Sequence, residues 1–166
     1  MKIKFLAIAM IAFSAQSYAQ STATASTTAL LVAPISIAKV TDMNFGVVAS
    51  SASAGTVMLD YSDGRTTLGG TSLPAGSSAQ TTAEFLVSGE GNSGFSIAIP
   101  SSPITLAGSV SGSLTVSDFV ADLGASSALV TGEKTIKVKA TLNVPANSVA
   151  GTYYNDSDLF VTVNYN

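Results

Sequence analysis

The stretch Thr135-Ile136-Lys137-Val138-Lys139-Ala140-Thr141-Leu142-Asn143-Val144 decides the fold class. Every even residue in it is apolar and every odd one is polar or charged. A period of two puts these sets on opposite faces of a β-strand, one for a core and one for water. Outward from this segment the same signal recurs. Phe95, Ile97 and Ile99 alternate with Ser96 and Ala98 until Pro100 stops the run. The run Glu84 to Ser88 precedes it across Gly89-Glu90-Gly91-Asn92, which predicts a hairpin with a Gly-rich loop. Val57 to Asp60 and Arg65 to Leu68 flank Tyr61-Ser62-Asp63-Gly64, where Asp-Gly supplies the positive φ of a tight reversal, so a second hairpin is expected. Ser113 to Phe119 and Leu159 to Tyr165 add further strands.

Beyond the first nineteen residues, no window of eleven or more carries a 3.6-residue apolar stripe, so helix content should be low. Gly and Ser clusters at 50–55, 69–78 and 108–113 read as loops, because strand patterns of like composition continue on both sides. There is no internal repeat. The expected architecture is all-β, a sandwich or barrel of many short strands.

The N-terminus reads as a secretory signal over residues 1–19. Lys2 and Lys4 supply positive charge, Phe5 to Phe13 form a short apolar run, and Ser17-Tyr18-Ala19 offers small residues at the cleavage point. Cleavage leaves Gln20 first, and the apolar run is far below the roughly 20 residues needed to cross a bilayer. No transmembrane segment is expected in the mature form. The remaining cations are Lys39, Arg65, Lys134, Lys137 and Lys139, against ten carboxylates. That balance gives no electrostatic attraction for nucleic acid. The chain has no cysteine although export would send it to an oxidising compartment, so packing and backbone pairing must hold it together. It also has no histidine. Ser/His/Asp and Cys/His nucleophilic systems are thereby excluded, and the commonest zinc and copper ligands are missing. No catalytic, cofactor-binding or metal-binding residue is expected.

Several side-chain groups carry both a functional and a plainer reading. Asp60 with Asp63, and Asp156 with Asp158, offer clustered oxygens, but neither reaches the ligand count of a calcium loop, and both fit turn chemistry. Glu84, Glu90, Asp118 and Asp122 offer carboxylates with no sign that any two converge at a glycosidase separation. Lys134, Lys137 and Lys139 read as the wet face of one strand. Tyr61, Tyr153 and Tyr154 read as packing at sheet corners with hydroxyls turned to the backbone rather than as a sugar site.

The two ends hold the functional signal. Gln20 to Ala29 is a Ser/Thr/Ala tract in strict alternation, with Ala23, Ala25, Thr27, Ala29 and Leu31 on one face. It has β character but no bulky anchor before Leu30, Leu31 and Val32, so it gains order only by joining a sheet edge; on the residues alone it reads equally as a flexible, solvated spacer, or as a strand that folds back into its own domain. At the other end Leu159, Val161, Val163 and Tyr165 alternate with polar residues and Phe160 up to the last residue, which leaves an edge to protect.

Val32-Ala33-Pro34-Ile35-Ser36-Ile37, then Met43-Asn44-Phe45-Gly46, Ala140-Thr141-Leu142-Asn143-Val144, Gly151-Thr152-Tyr153 and Val161-Thr162-Val163-Asn164-Tyr165 together resemble the secreted bacterial domain of unknown function 4402. That family in turn resembles the subunits of chaperone-usher pili, with Tyr165 similar to their penultimate aromatic. The resemblance implies an immunoglobulin-like β-sandwich lacking its last strand. A periplasmic chaperone would fill the groove beside Leu159, Val161, Val163 and Tyr165 during export. At the outer-membrane usher, the N-terminal extension of another copy, residues 20–31, would replace it as donor strand, followed by a domain over 32–166. Twelve residues at about 3.3 Å each reach roughly 40 Å, enough to cross such a sandwich. The expected product is a homopolymeric surface fimbrium; the alternative is a self-contained cell-surface or secreted module binding a glycan or host protein.

Overall fold

The computed structural model describes residues 20–75, 79–124 and 127–166. The chain divides into two units, Met1–Leu31 and Val32–Asn166. Of the first, residues 20–31 are described; none belongs to a strand and all are exposed. The predicted signal over 1–19 lies outside the described residues, as does part of the predicted loop over 69–78.

The second unit is built of strands, and the described residues contain no helix. In chain order these are β1 (Ser36–Thr41), β2 (Gly55–Leu59), β3 (Arg65–Gly69), β4 (Ala83–Ser88), β5 (Phe95–Ala98), β6 (Ile104–Gly108), β7 (Ser113–Asp122), β8 (Glu133–Val144), β9 (Tyr153–Tyr154) and β10 (Thr162–Tyr165). All ladders are antiparallel.

β8 is the spine. Its alternation is realised as read: Ile136, Val138, Ala140, Leu142 and Val144 are buried. One edge of β8 carries β4 along Glu133 to Val138 and then β2 along Ala140 to Val144. The other edge carries β7. β1 lies beyond β4, β3 beyond β2, and β6 then β9 beyond β7. β7 is longer than its sequence pattern suggested and absorbs a bulge, with Asp118 at φ 55° where the register against β8 slips. Such a bulge bends and twists its strand, which helps a sheet of this width to curl. β5 and β10 form a separate two-stranded sheet, with Phe95 opposite Tyr165 and Ala98 opposite Thr162.

Apolar side chains pack in three clusters, of which the second joins the two sheets. Phe45, Val57, Leu59, Leu114, Val116, Ala140, Leu142 and Val144 form one. Val87, Phe95, Leu129 and Ile136 form the second, and Ala83, Phe85 and Val138 the third.

The β2–β3 hairpin forms as expected, closing at Leu59 opposite Arg65. Its positive φ falls on Asp63, at 62°, rather than on Gly64; Asp tolerates the left-handed region better than most residues. Three other expectations need correction. β4 and β5 do not form a hairpin: β4 has β1 on one edge and β8 on the other, so the chain leaves that sheet through Gly89 to Asn92, and β5 pairs with β10. The C-terminal ladder starts at Thr162, not Leu159. Continuing its register would set residue 160 opposite Pro100, which has no N–H to contribute. Lys134 does not share a face with Lys137 and Lys139, because it has the parity of Ile136; its Nζ donates to the Leu123 carbonyl at 2.6 Å.

Candidate functional site

Two open edges meet on one side of the domain. Among the described residues, β1 is an outermost strand of the large sheet and β10 has one ladder partner, β5. Among those residues too, the two lie close together with no ladder between them. Their directions are opposite. The Tyr165 hydroxyl at the end of β10 reaches Ala33, just before β1; Ile35 shares a cluster with Val163 and Tyr165, and Ile37 extends into the one that holds Leu159 and Val161.

The residues along this seam follow from alternation. Leu159, Val161, Val163 and Tyr165 all turn inward, while Phe160, Thr162 and Asn164 are exposed. Ile35 and Ile37 face the same core from the other side. Beneath them Val87, Ile136 and Val138 are fully buried. The six seam residues, by contrast, are only half-buried, although five of the six are purely apolar. Apolar area left in water is a reservoir of about 25 cal/mol per Å² for anything that covers it. Leu159 and Val161 face the core without belonging to a strand.

One end of the seam is tied by hydrogen bonds. The Tyr165 hydroxyl donates to the Ala33 carbonyl at 2.8 Å and accepts from the Glu90 N–H at 2.6 Å. The Ala33 N–H donates to Glu90 Oε2 at 3.2 Å. Gly89 makes room for this: a Cβ there would stand 2.3 Å from the Tyr165 hydroxyl oxygen. Alternation flags Tyr165, whereas Ile35 and Ile37 enter the sequence reading only within the run Val32 to Ile37 that carries the family resemblance, and the link from Tyr165 to Ala33 spans 132 residues and has no sequence signal.

The predicted donor residues Ala23, Ala25, Thr27, Ala29 and Leu31 are exposed and unpaired into any strand. Leu30 and Leu31 are 88% and 95% exposed, the highest values among the exposed large hydrophobic side chains.

The remaining candidates are taken up locally. Asp60 Oδ1 accepts from the N–H groups of Ser62 and Gly64, both at 2.8 Å. Asp63 Oδ1 accepts from the Thr82 N–H at 2.6 Å, and that bond, helped by the Thr82 side chain, holds the Asp63 carboxyl below the usual carboxylate range. Asp158 accepts from the Asn155 amide at 2.7 Å and the Ser157 hydroxyl at 3.3 Å. Glu84 faces Lys137 at 3.9 Å, Asp118 accepts from Ser117, and Asp122 accepts from the Gly124 N–H, so these carboxylates and Glu90 take different local partners. No group of three or more metal-ligating side chains occurs among the described residues. Tyr61 donates to the Val120 carbonyl, sits 5.2 Å from the Lys139 Nζ, and has its phenol pushed up by burial and then by Asp122. Tyr153 donates to the Val149 carbonyl at 2.6 Å; Tyr154 is exposed on β9. No helix among the described residues is long and apolar enough to cross a membrane.

A family model described as "Domain of unknown function (DUF4402)" matches residues 35–165. No curated protein and no solved structure matches the chain.

Proposed function

The chain belongs to the DUF4402 family, and we propose that it is a structural, non-enzymatic subunit of a bacterial surface fimbrium, joined to its neighbours by donor-strand exchange. In this reading the domain is an immunoglobulin-like sandwich short of one strand. The missing strand belongs between β1 and β10, and residues 20–31 of another copy supply it. A periplasmic chaperone occupies the seam first, and an outer-membrane usher exchanges it for the extension after export under the signal over residues 1–19.

The observation that carries the reading is the pairing of two unmet needs in one chain. A half-buried apolar row runs along an open edge through Leu159, Val161, Val163 and Tyr165, and an alternating extension ending in fully exposed Leu30 and Leu31 has no strand to join. A two-stranded sheet is marginal by itself, and a third strand against β10 would remedy that. Strand addition supplies main-chain bonds for affinity and side-chain pockets for register. With a tract of Ala and Thr, the side-chain part falls to Leu31 and its neighbours.

The seam admits a donor strand in two directions, and the reading takes the one antiparallel to β10. Because β1 and β10 are antiparallel, an inserted strand must be parallel to one and antiparallel to the other. Antiparallel to β10, its residue 31 comes to the Leu159 end, so the donor's own body lies opposite the Tyr165 end, where the acceptor's extension begins at residue 33. Successive copies then form an open chain rather than a closed pair.

The test is the size distribution of the mature full chain across concentration, with Leu31→Asp beside it. Multimers that resist SDS and grow with concentration are expected for the wild type, and their loss for Leu31→Asp with the domain still folded. A wild-type chain that remains a folded monomer at every concentration contradicts the proposal and favours the self-contained binding module.

A further inference from the structure

Resting on the donor-strand reading, we infer that Tyr165, Glu90 and Gly89 form a latch on Ala33 that stops the extension from filling the groove of its own domain. An extension of this kind has two competing destinations, a neighbour's seam and its own. The second is intramolecular and favoured by effective concentration, since a few residues connect tail and groove. A fibre subunit therefore needs a feature that disfavours it.

The route to self-filling is fixed by topology. The extension joins the domain at residues 32–34, at the Tyr165 end of the seam. To lie between β1 and β10 of its own domain it must fold back on β1 as a hairpin, reversing within Val32-Ala33-Pro34. That reversal requires Ala33 to turn its backbone, and both polar atoms of that backbone are held. Its carbonyl accepts from the Tyr165 hydroxyl at 2.8 Å, and its N–H donates to Glu90 Oε2 at 3.2 Å. Pro34 adds to the constraint, because a residue before proline is biased to extended backbone. The hydroxyl is itself positioned by the Glu90 N–H at 2.6 Å, and it fits only because residue 89 has no side chain: a Cβ would lie 2.3 Å from it. The latch sits at the groove's own rim, so Tyr165 both lines the seam and keeps the local tail out.

The prediction concerns the full mature chain at high dilution, where copies do not meet. Proteinase K with intact-mass readout follows removal of residues 20–31. In the wild type the tail is cut rapidly. In Tyr165→Phe/Glu90→Ala the tail enters its own groove and is cut about tenfold more slowly, roughly the weight of two hydrogen bonds. Glu90→Ala alone, an exposed change that spares the core, gives a smaller slowing in the same direction, and Gly89→Ala reproduces it by displacing the hydroxyl. Tail cleavage at the wild-type rate in every folded variant overturns the latch. The two ideas fail separately. Variants that behave like wild type while the wild type still polymerises at high concentration remove the latch alone; protected tails in the variants, with no wild-type multimers at any concentration, keep the latch and remove the fibre.

Discussion

Arg65 shows how much a single side chain does here outside the seam. Its Nη1 donates to the carbonyls of Phe45 at 2.7 Å and Val47 at 2.9 Å, pinning the segment that places Phe45 in the first core cluster. Arg65→Ala should cost about 2 kcal/mol in urea unfolding, as expected for charge-assisted bonds lost at a half-exposed site, and Arg65→Lys should recover only part of it. Asp63 gives a pH-dependent counterpart. Its carboxyl titrates below its ordinary value chiefly because the Thr82 N–H bonds the charged form. A lowered folded pKa contributes stability that is complete above the unfolded value of about 3.9 and is lost as pH falls through the folded one. The stability difference between wild type and Asp63→Asn should therefore be constant from pH 7 to about 5 and close in acid, measured by thermal unfolding across that range. The Asp60 turn could be read from sequence because its partners are two and four residues away, whereas the carbonyls that Arg65 holds lie 18 and 20 residues off.

At the scale of the element, β8 was legible because its alternation is unbroken over the quoted ten residues and its burial obeys it. Ile136→Ala should cost about 2–5 kcal/mol by removing a fully buried side chain between two sheets, while Thr135→Ala on the wet face should change stability by less than about 0.5 kcal/mol, both by urea unfolding. Partner choice was less legible. Phe95 to Ile99 follows β4 closely in sequence and has the right alternation, yet β4 is already flanked on both edges, so β5 takes a partner 60 and more residues away in β10. Periodicity reports a strand's faces; it does not report which edges are vacant. The shortening of β10 has a cause that was in plain sight, since Pro100 ends the run of β5 and leaves Leu159 and Val161 outside the ladder.

For the molecule as a whole, the inward set Leu159, Val161, Val163 and Tyr165 was readable from the sequence, and so was the exposed, unanchored extension. That the first of these borders β1 across an open seam was not, because it depends on the large sheet ending at β1 and on the return of the chain to that edge more than 120 residues later. In the proposed fibre, seam and extension are two halves of one joint. Hydrogen exchange by mass spectrometry on the full mature chain, dilute and then concentrated, addresses it most directly. The account predicts rapid exchange of residues 20–31 when dilute, with β1 and residues 159–165, each laddered on one side at most, only partly protected. All three should gain protection together as multimers form. Multimers in which residues 20–31 still exchange freely, or a dilute monomer in which they are already protected, would contradict it.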